Sequence, residues 1–111
     1  DDSMDYRPAY FIPTFSKWTG NLSAGVEIFV ESASEFRPVE CALQILLAAK
    51  AHSPADGFAW VDGTGDNFDL HLGNNSTRLA IEAGYSLAEI VALWAPGLSA
   101  WGKIRAQYLL Y

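Results

Sequence analysis

Three aspartates surround two glycines between Asp62 and Asp69, and carboxylate oxygens on a flexible loop are the ligands that Ca²⁺ prefers. The spacing does not match an EF-hand loop, because Asn67 stands where the turn glycine is required and Gly73 where the closing glutamate is required. We interpret the segment as a Gly/Asp-rich turn between two strands. The sequence therefore predicts neither a metal site nor a cofactor.

A pair of carboxylates is what the cleavage of a glycosidic bond requires, and Glu27 and Glu31 share one face of a predicted strand. Four residues of strand place them about 13 Å apart, which is too far for a catalytic pair. The two histidines, His52 and His71, and the single cysteine, Cys41, do not have the spacing of zinc ligands. Cys41 falls on an apolar helix face, as a small core residue does. The sequence therefore predicts no catalytic residues.

Aromatic side chains are the remaining chemical signal. Trp18 and Trp60 lie in or near loops, whereas Trp94 and Trp101 lie on apolar helical stripes and are predicted to be core residues. Trp18 stands in a polar loop, where it can stack on the face of a sugar because an aromatic ring offers a flat apolar surface.

Asn-x-Ser/Thr sequons begin at Asn21, Asn74 and Asn75. These asparagines are glycosylation candidates if the protein comes from a eukaryotic secretory source. The alternative interpretation is chance combined with the frequency of Asn and Ser in turns.

The composition indicates an acidic protein with a hydrophobic core. The chain has 111 residues, of which 50% are hydrophobic, enough for one domain. Thirteen acidic residues face seven basic ones, for a net charge of −6, and no Lys/Arg cluster occurs, so nucleic-acid binding and an anionic membrane surface are disfavoured. No apolar run is long enough for a membrane span. Residues 1–9 are predicted to be a flexible acidic N-terminus, and residues 10–111 one domain.

Hydrophobic periodicity predicts the elements that position these residues. Strands are predicted over residues 10–15, 26–31, 58–61 and 67–72. In the second of these, alternate residues should face the core. A helix is predicted from Pro38, whose missing N–H costs nothing in a first turn. Another is predicted to run from a capping Asn75 to a left-handed Gly84.

The C-terminal third carries the strongest local signals. Ser86 and Glu89 have the spacing of a capping box. Pro96 is predicted to kink or break the helix that follows, and the apolar tail, residues 105–111, to form a docked C-terminal strand. Since not every crossover carries a helix, the predicted class is α+β, a small mixed or antiparallel sheet packed against three to four helices.

Six short apolar segments follow one another along nearly the whole chain, namely residues 10–20, 25–30, 36–38, 68–73, 78–84 and 105–111. In this order they resemble the C-terminal domain of the exo-β-N-acetylmuramidase family, the NamZ-type peptidoglycan hydrolases. The resemblance implies a secreted or envelope enzyme of two parts that trims N-acetylmuramic acid from peptidoglycan fragments. It implies an active site in a cleft between the parts and a catalytic glutamate in the larger N-terminal part. This chain corresponds to the smaller C-terminal part alone.

From this resemblance we expect an auxiliary domain that forms one wall of a sugar cleft and has no hydrolytic activity alone. The predicted binding residues are Trp18, Glu27 and Arg37, the last two as partners for sugar hydroxyls or a lactyl carboxylate. Arg78 and Arg105 are predicted to pair with carboxylates or helix ends.

The expected partners are the N-terminal catalytic domain or another chain, and a muramic-acid-containing glycan. The expected location is secreted, periplasmic or extracellular. The alternative is a stand-alone secreted carbohydrate-binding or structural protein that reuses this fold, including as a homo-oligomer. A small independent enzyme is the third interpretation.

Overall fold

The described residues form two strands followed by four helices. The computed structural model describes residues 3–55, 57–61 and 63–110, in two units that comprise residues 1–37 and residues 38–111. For the described residues, the α+β class with an antiparallel sheet and four helices is confirmed. The elements are β1 (Met4–Phe11), β2 (Ser23–Val30), α1 (Pro38–His52), α2 (Asp66–Leu72), α3 (Ser76–Glu82) and α4 (Leu87–Arg105).

The first unit is built on a β-hairpin. β1 and β2 pair antiparallel, with Met4 opposite Val30 at the open end. The guanidinium of Arg7 lies 4.5 Å from the ring centroid of Phe29, a cation–π contact across the pair. The face of β2 that carries Val26 and Val30 is exposed, at 64% and 47% for these two side chains. On the other face of β2, Phe29 is half-buried.

The hairpin strands begin and end earlier than predicted. β1 ends at Phe11, ahead of Pro13, which has no N–H for strand pairing. The Pro13 carbonyl instead accepts from the Gly20 N–H at 3.0 Å, inside the connection between the strands. Because β1 starts at Met4, it occupies much of residues 1–9; the flexibility of that segment stays a prediction, which hydrogen exchange would test.

The core of the second unit forms where α1, α3 and α4 meet. Its buried hydrophobic members are Leu43, Ala80, Ile81 and Ile90, and the two isoleucines are fully inaccessible to solvent. Burying a side chain of this size contributes about 1.5–3 kcal/mol. Half-buried side chains pack around the cluster, namely Leu46, Leu47, Trp60, Phe68, Leu87 and Trp94.

Two helix termini have the predicted capping chemistry. Ser86 Oγ accepts from the Glu89 N–H at 3.3 Å, and Glu89 Oε2 accepts from the Ser86 N–H at 2.8 Å, which completes the capping box of α4. After α3, Gly84 takes a left-handed conformation at φ 84. Its N–H donates to Ile81 O and the next N–H to Ala80 O, so α3 ends in a Schellman motif.

The two strands predicted between α1 and α3 are wrong. Residues 67–72 belong to α2, and residues 58–60 have no regular structure. Gly65 and Gly73 flank α2 in left-handed conformations, at φ 86 and 81, and such positions favour glycine because it lacks a Cβ. The alternating pattern that suggested a strand therefore lies in a helix of two turns, which buries Phe68 partly.

The C-terminal region departs from the prediction in part. α4 continues through Pro96 without a break, and a kink at this residue stays a prediction. Ala106–Tyr108 form a turn rather than a strand, because the Tyr108 N–H is bonded to Arg105 O at 2.9 Å in the last turn of the helix. Leu110 is 93% exposed. The docked C-terminal strand is therefore wrong for the described residues of the tail.

Candidate functional site

Arg78 of α3 organises a polar network in the second unit. Its Nε donates to both carboxylate oxygens of Asp69 at 3.0 Å, and its Nη2 donates to Asp69 Oδ2 at 2.8 Å. Its Nη1 donates to Glu82 Oε1 at 3.2 Å, one helical turn later. The Arg78 and Asp69 side chains are only 14% and 16% exposed. This forked, shielded pair ties α2 to α3.

Trp60 joins the network from the loop that precedes α2. Its Nε1 donates to Glu82 Oε1 at 2.8 Å. This hydrogen bond, followed by those from Arg78, holds the pKa of Glu82 below its usual value. Hydrogen bonds to Asp69, followed by those to Glu82, raise the pKa of Arg78. The shifts of Glu82 and Arg78 both favour the charged form, and hydrogen bonds between charged partners are stronger than those between neutral ones.

Gly65, which directly precedes α2, allows the side chain of Arg78 to pass close to the backbone of the loop. Its backbone is left-handed, at φ 86. A Cβ at this position would overlap Arg78 Cδ and would lie 3.3 Å from Trp60 Cδ1. Glycine is therefore required here both by the backbone conformation and by the close approach of Arg78.

Three aromatic rings form a shallow site beside this network. The Trp60 ring meets Phe58 edge-on, with centroids 5.4 Å apart, and Phe68 with centroids 4.9 Å apart. We name the concavity of about 300 Å³ at these rings the aromatic depression. It is lined by Leu46, Phe58, Ala59, Trp60, Val61, Gly65, Asn67, Phe68 and His71. Mostly apolar walls with a few polar groups are typical of small-molecule sites.

His71 supplies a polar group at the aromatic depression. Its Nδ1 lies 2.6 Å from the Asn67 carbonyl oxygen. Because a carbonyl only accepts, Nδ1 carries the hydrogen, and the neutral ring then has Nε2 as a hydrogen-bond acceptor. The depression therefore combines flat apolar faces with the polar ring of His71.

A second concavity, of about 400 Å³, is lined by Asp66, Asp69, Leu70, Gly73 and Asn74. The Asp69 carboxylate is already paired with Arg78. Among the residues that the structure describes, no three His, Cys, Asp or Glu side chains are grouped to hold a metal ion. Asp62, the first aspartate of the segment considered for calcium, lies outside the described residues.

The predicted binding residues all belong to the first unit. Trp18 lies in the hairpin connection at φ 61 and is 73% exposed. Glu27 lies on β2 opposite Arg7 and is exposed, and Arg37 is exposed immediately before α1. Their part in binding stays a prediction, and none of the three lines the aromatic depression.

The sequon asparagines are exposed in the structure. Asn74 Oδ1 accepts from the Ser76 N–H at 2.9 Å at the start of α3, whereas Asn75, the residue predicted to cap this helix, makes no side-chain capping bond. Asn21 lies within the hairpin connection, where its N–H donates to Trp18 O at 3.0 Å. Glycosylation of these residues stays a prediction.

Part of the network was predictable. The pairing of Arg78 with carboxylates is confirmed, and its four-residue spacing to Glu82 is a helical ion-pair signal. Asp69 and Trp60 were not assigned to it, because the residues around Asp69 had the pattern of a strand.

The two helical tryptophans have different environments. Trp94 packs against the core and donates from Nε1 to the buried Thr77 Oγ1 at 3.1 Å, which confirms the prediction for it. Trp101 is 56% exposed, so its assignment to the core is wrong.

Comparison of the sequence with known proteins identifies the family to which the chain belongs. Residues 2–111 match the family described as "Exo-beta-N-acetylmuramidase NamZ, C-terminal". The chain is 35% identical over 108 residues to the "Peptidoglycan beta-N-acetylmuramidase NamZ" of Bacillus subtilis (strain 168). This alignment covers 97% of the chain and 25% of the relative, so the chain spans about a quarter of the length of that relative. No solved structure gives a significant match.

Proposed function

The chain belongs to the family of NamZ C-terminal domains, and on this basis we propose that it acts as an auxiliary, non-catalytic domain of a peptidoglycan β-N-acetylmuramidase. The observation that carries the proposal is the match over residues 2–111, combined with coverage of only 25% of the B. subtilis relative. The groups that break the glycosidic bond then belong to the part of such a protein that lies outside these residues.

Two carboxyl groups of the second unit, Glu82 and Glu89, have the surroundings of structural residues. A glycosidase needs a carboxyl whose pKa is raised, so that it can protonate the leaving oxygen. The shifts at Glu82 and Glu89 go the other way: hydrogen bonds from Trp60 and Arg78 lower the pKa of Glu82, and those from Ser86 lower the pKa of Glu89. Both carboxyls are held as anions, which suits a structural role.

The aromatic depression supports a role in glycan contact. A pyranose has an apolar face that stacks on aromatic rings, and its edge carries hydroxyls. Trp60, Phe58 and Phe68 supply the rings, and His71 Nε2 accepts a hydrogen bond from a hydroxyl. In this proposal the depression forms part of one wall of the sugar site. Trp18, Glu27 and Arg37 of the first unit remain separate candidates for glycan contact.

The proposal also implies a location. Peptidoglycan is a cell-wall polymer, so a domain that contacts it functions outside the cytoplasm. We therefore propose a secreted, periplasmic or extracellular location, which fractionation of cells that express the protein would test.

The non-catalytic role is tested with a chromogenic N-acetylmuramic acid glycoside. The 111-residue chain should give no turnover above buffer, whereas the B. subtilis relative serves as the positive control. Turnover by the chain itself, at a rate that scales with its concentration, would defeat the proposal.

The glycan contact is tested separately by titrating a muramic-acid-containing disaccharide into the protein and following NMR shifts. Phe58→Ala and His71→Ala should weaken binding about 2- to 10-fold, on the scale of an aromatic contact of about 0.5–1.5 kcal/mol. Tyr108→Ala, which is 77% exposed and outside the depression, should leave binding unchanged. Equal binding by all variants would mean that the depression does not contact the sugar, and the proposed auxiliary role would be unaffected.

A further inference from the structure

The C-terminal half of α4 extends beyond the core that its N-terminal half helps to form. Ile90 is fully buried, and Trp94 packs against the core cluster. From residue 95 to residue 105, by contrast, every residue is exposed. We name residues 95–105 the α4 overhang; at 1.5 Å per residue it is about 16 Å long.

The overhang continues the core-facing stripe of the helix. Trp101 comes eleven residues after Ile90 and seven after Trp94, spacings that return to the same side of a helix. Leu98 and Ile104 flank it, and the three side chains are 61%, 56% and 48% exposed in chain order. A stripe of this kind normally faces a packed surface. The overhang therefore has the residue pattern of a helix that is buried on one side, although its apolar side chains are exposed to solvent.

The charge of the α4 overhang limits the kind of surface that can cover it. The overhang carries Lys103 and Arg105 in its last turn and has no acidic residue, although the whole chain has a net charge of −6. A complementary surface is therefore apolar where it meets Trp101 and acidic at its rim. Among the described residues, no helix has the length and apolar character needed to cross a bilayer.

We propose that the α4 overhang docks into an apolar groove with an acidic rim on the catalytic part of the complete muramidase. This rests on family membership and not on glycan contact. Three quarters of the B. subtilis relative lies outside the region matched by this chain, so a large covalently linked body is available to cover the stripe.

The size of the stripe decides between this occupant and a second copy of the chain. Stable dimers bury about 1,200–2,000 Å², far more than three side chains supply. A covalently linked partner needs a much smaller contact, because linkage provides an effective concentration on the order of mM. The overhang is therefore suited to docking within one polypeptide.

The test compares the protein expressed from its complete reading frame with residues 1–111 alone, by hydrogen exchange over residues 95–105. We expect at least about tenfold slower exchange in the complete protein. Trp101→Asp should abolish this protection. Ser99→Asp, which adds the same charge on the opposite side of the overhang, should preserve it. Since Trp101 is exposed in the chain alone, circular dichroism of Trp101→Asp in residues 1–111 should show unchanged helix content.

Three outcomes would overturn the proposal. Equal exchange in the two proteins would mean that nothing outside residues 1–111 covers the overhang. A dimer of residues 1–111 in light scattering that Trp101→Asp dissociates would assign the stripe to a second copy. A reading frame that encodes no further domain would remove the proposed occupant altogether.

Discussion

Two glycines with nearly the same backbone conformation provide a direct test of the Arg78 network. Gly65 and Gly84 have φ values of 86 and 84. A Cβ at Gly84 would meet nothing within 4 Å, whereas a Cβ at Gly65 would overlap Arg78 Cδ. Alanine at either position has the same conformational penalty, and only alanine at position 65 displaces the arginine.

The expected losses in stability follow from the conformational penalty at both positions and from the displacement of Arg78 at position 65. The left-handed conformation costs a non-glycine residue about 1–2 kcal/mol, which is the whole cost of Gly84→Ala. Gly65→Ala adds a packing conflict, and overpacking typically costs about 1–3 kcal/mol more. For a unit of this size, each kcal/mol lowers Tm by about 4–8 °C. The Tm of Gly65→Ala should therefore lie at least about 4 °C below that of Gly84→Ala.

Thermal and urea unfolding followed by circular dichroism measures both variants. The total tryptophan fluorescence of the folded state should also change in Gly65→Ala, because Trp60 Cδ1 lies 3.3 Å from the added Cβ position. In an Arg78→Ala background the extra cost of Gly65→Ala should nearly vanish, which a double-mutant cycle detects. Equal destabilisation by the two glycine substitutions in the unmodified chain would refute the close approach of Arg78 to the loop.

Three further predictions concern the core, the α4 cap and pH. Ile90→Ala should cost about 2–5 kcal/mol in urea unfolding, and Leu93→Ala, at a 50% exposed position on the same helix, clearly less; equal losses would contradict the core assignment. Ser86→Ala should cost about 1 kcal/mol and Ser99→Ala less than about 0.5, so similar values would argue against the capping box. The pKa of Glu82 is lowered on folding, so the ionised Glu82 stabilises the fold above the pKa of about 4.3 of the unfolded chain, and this stabilisation is lost as the pH falls below that value. Glu82→Gln should remove this component of the dependence of unfolding free energy on pH. An unchanged dependence would contradict the Arg78 network.

The sequence was sufficient to predict a helix terminus where the residues that form the capping bonds lie within one helical turn of each other. The start of α4 was predictable because Ser86 and Glu89 are three residues apart and satisfy each other's groups. The end of α3 at Gly84 was predictable for the same reason, since a left-handed residue terminates a helix through bonds to its own last turn. Such features depend little on the rest of the fold.

The features that the sequence did not predict include one helix and the contacts between residues far apart in the chain. The pattern of residues 67–72 fits a strand by periodicity, and the helix depends on the left-handed glycines at each end. Arg78 lies nine residues from Asp69, and Trp60 lies 22 residues from Glu82, so neither contact follows from spacing. The stripe on α4 correctly predicted an apolar side, but a periodic pattern does not show where the core ends.

The position of Trp60 connects the polar network to the aromatic depression. A loop tryptophan in water has many accessible orientations, and each buried contact must offset the entropy of fixing it. Here Glu82 accepts its N–H at 2.8 Å, and Phe68 packs against its ring at 4.9 Å between centroids. Arg78 in turn holds Glu82 in place. The charged groups therefore contribute to the depression by fixing one aromatic wall, and their removal should loosen that wall before it unfolds the helices.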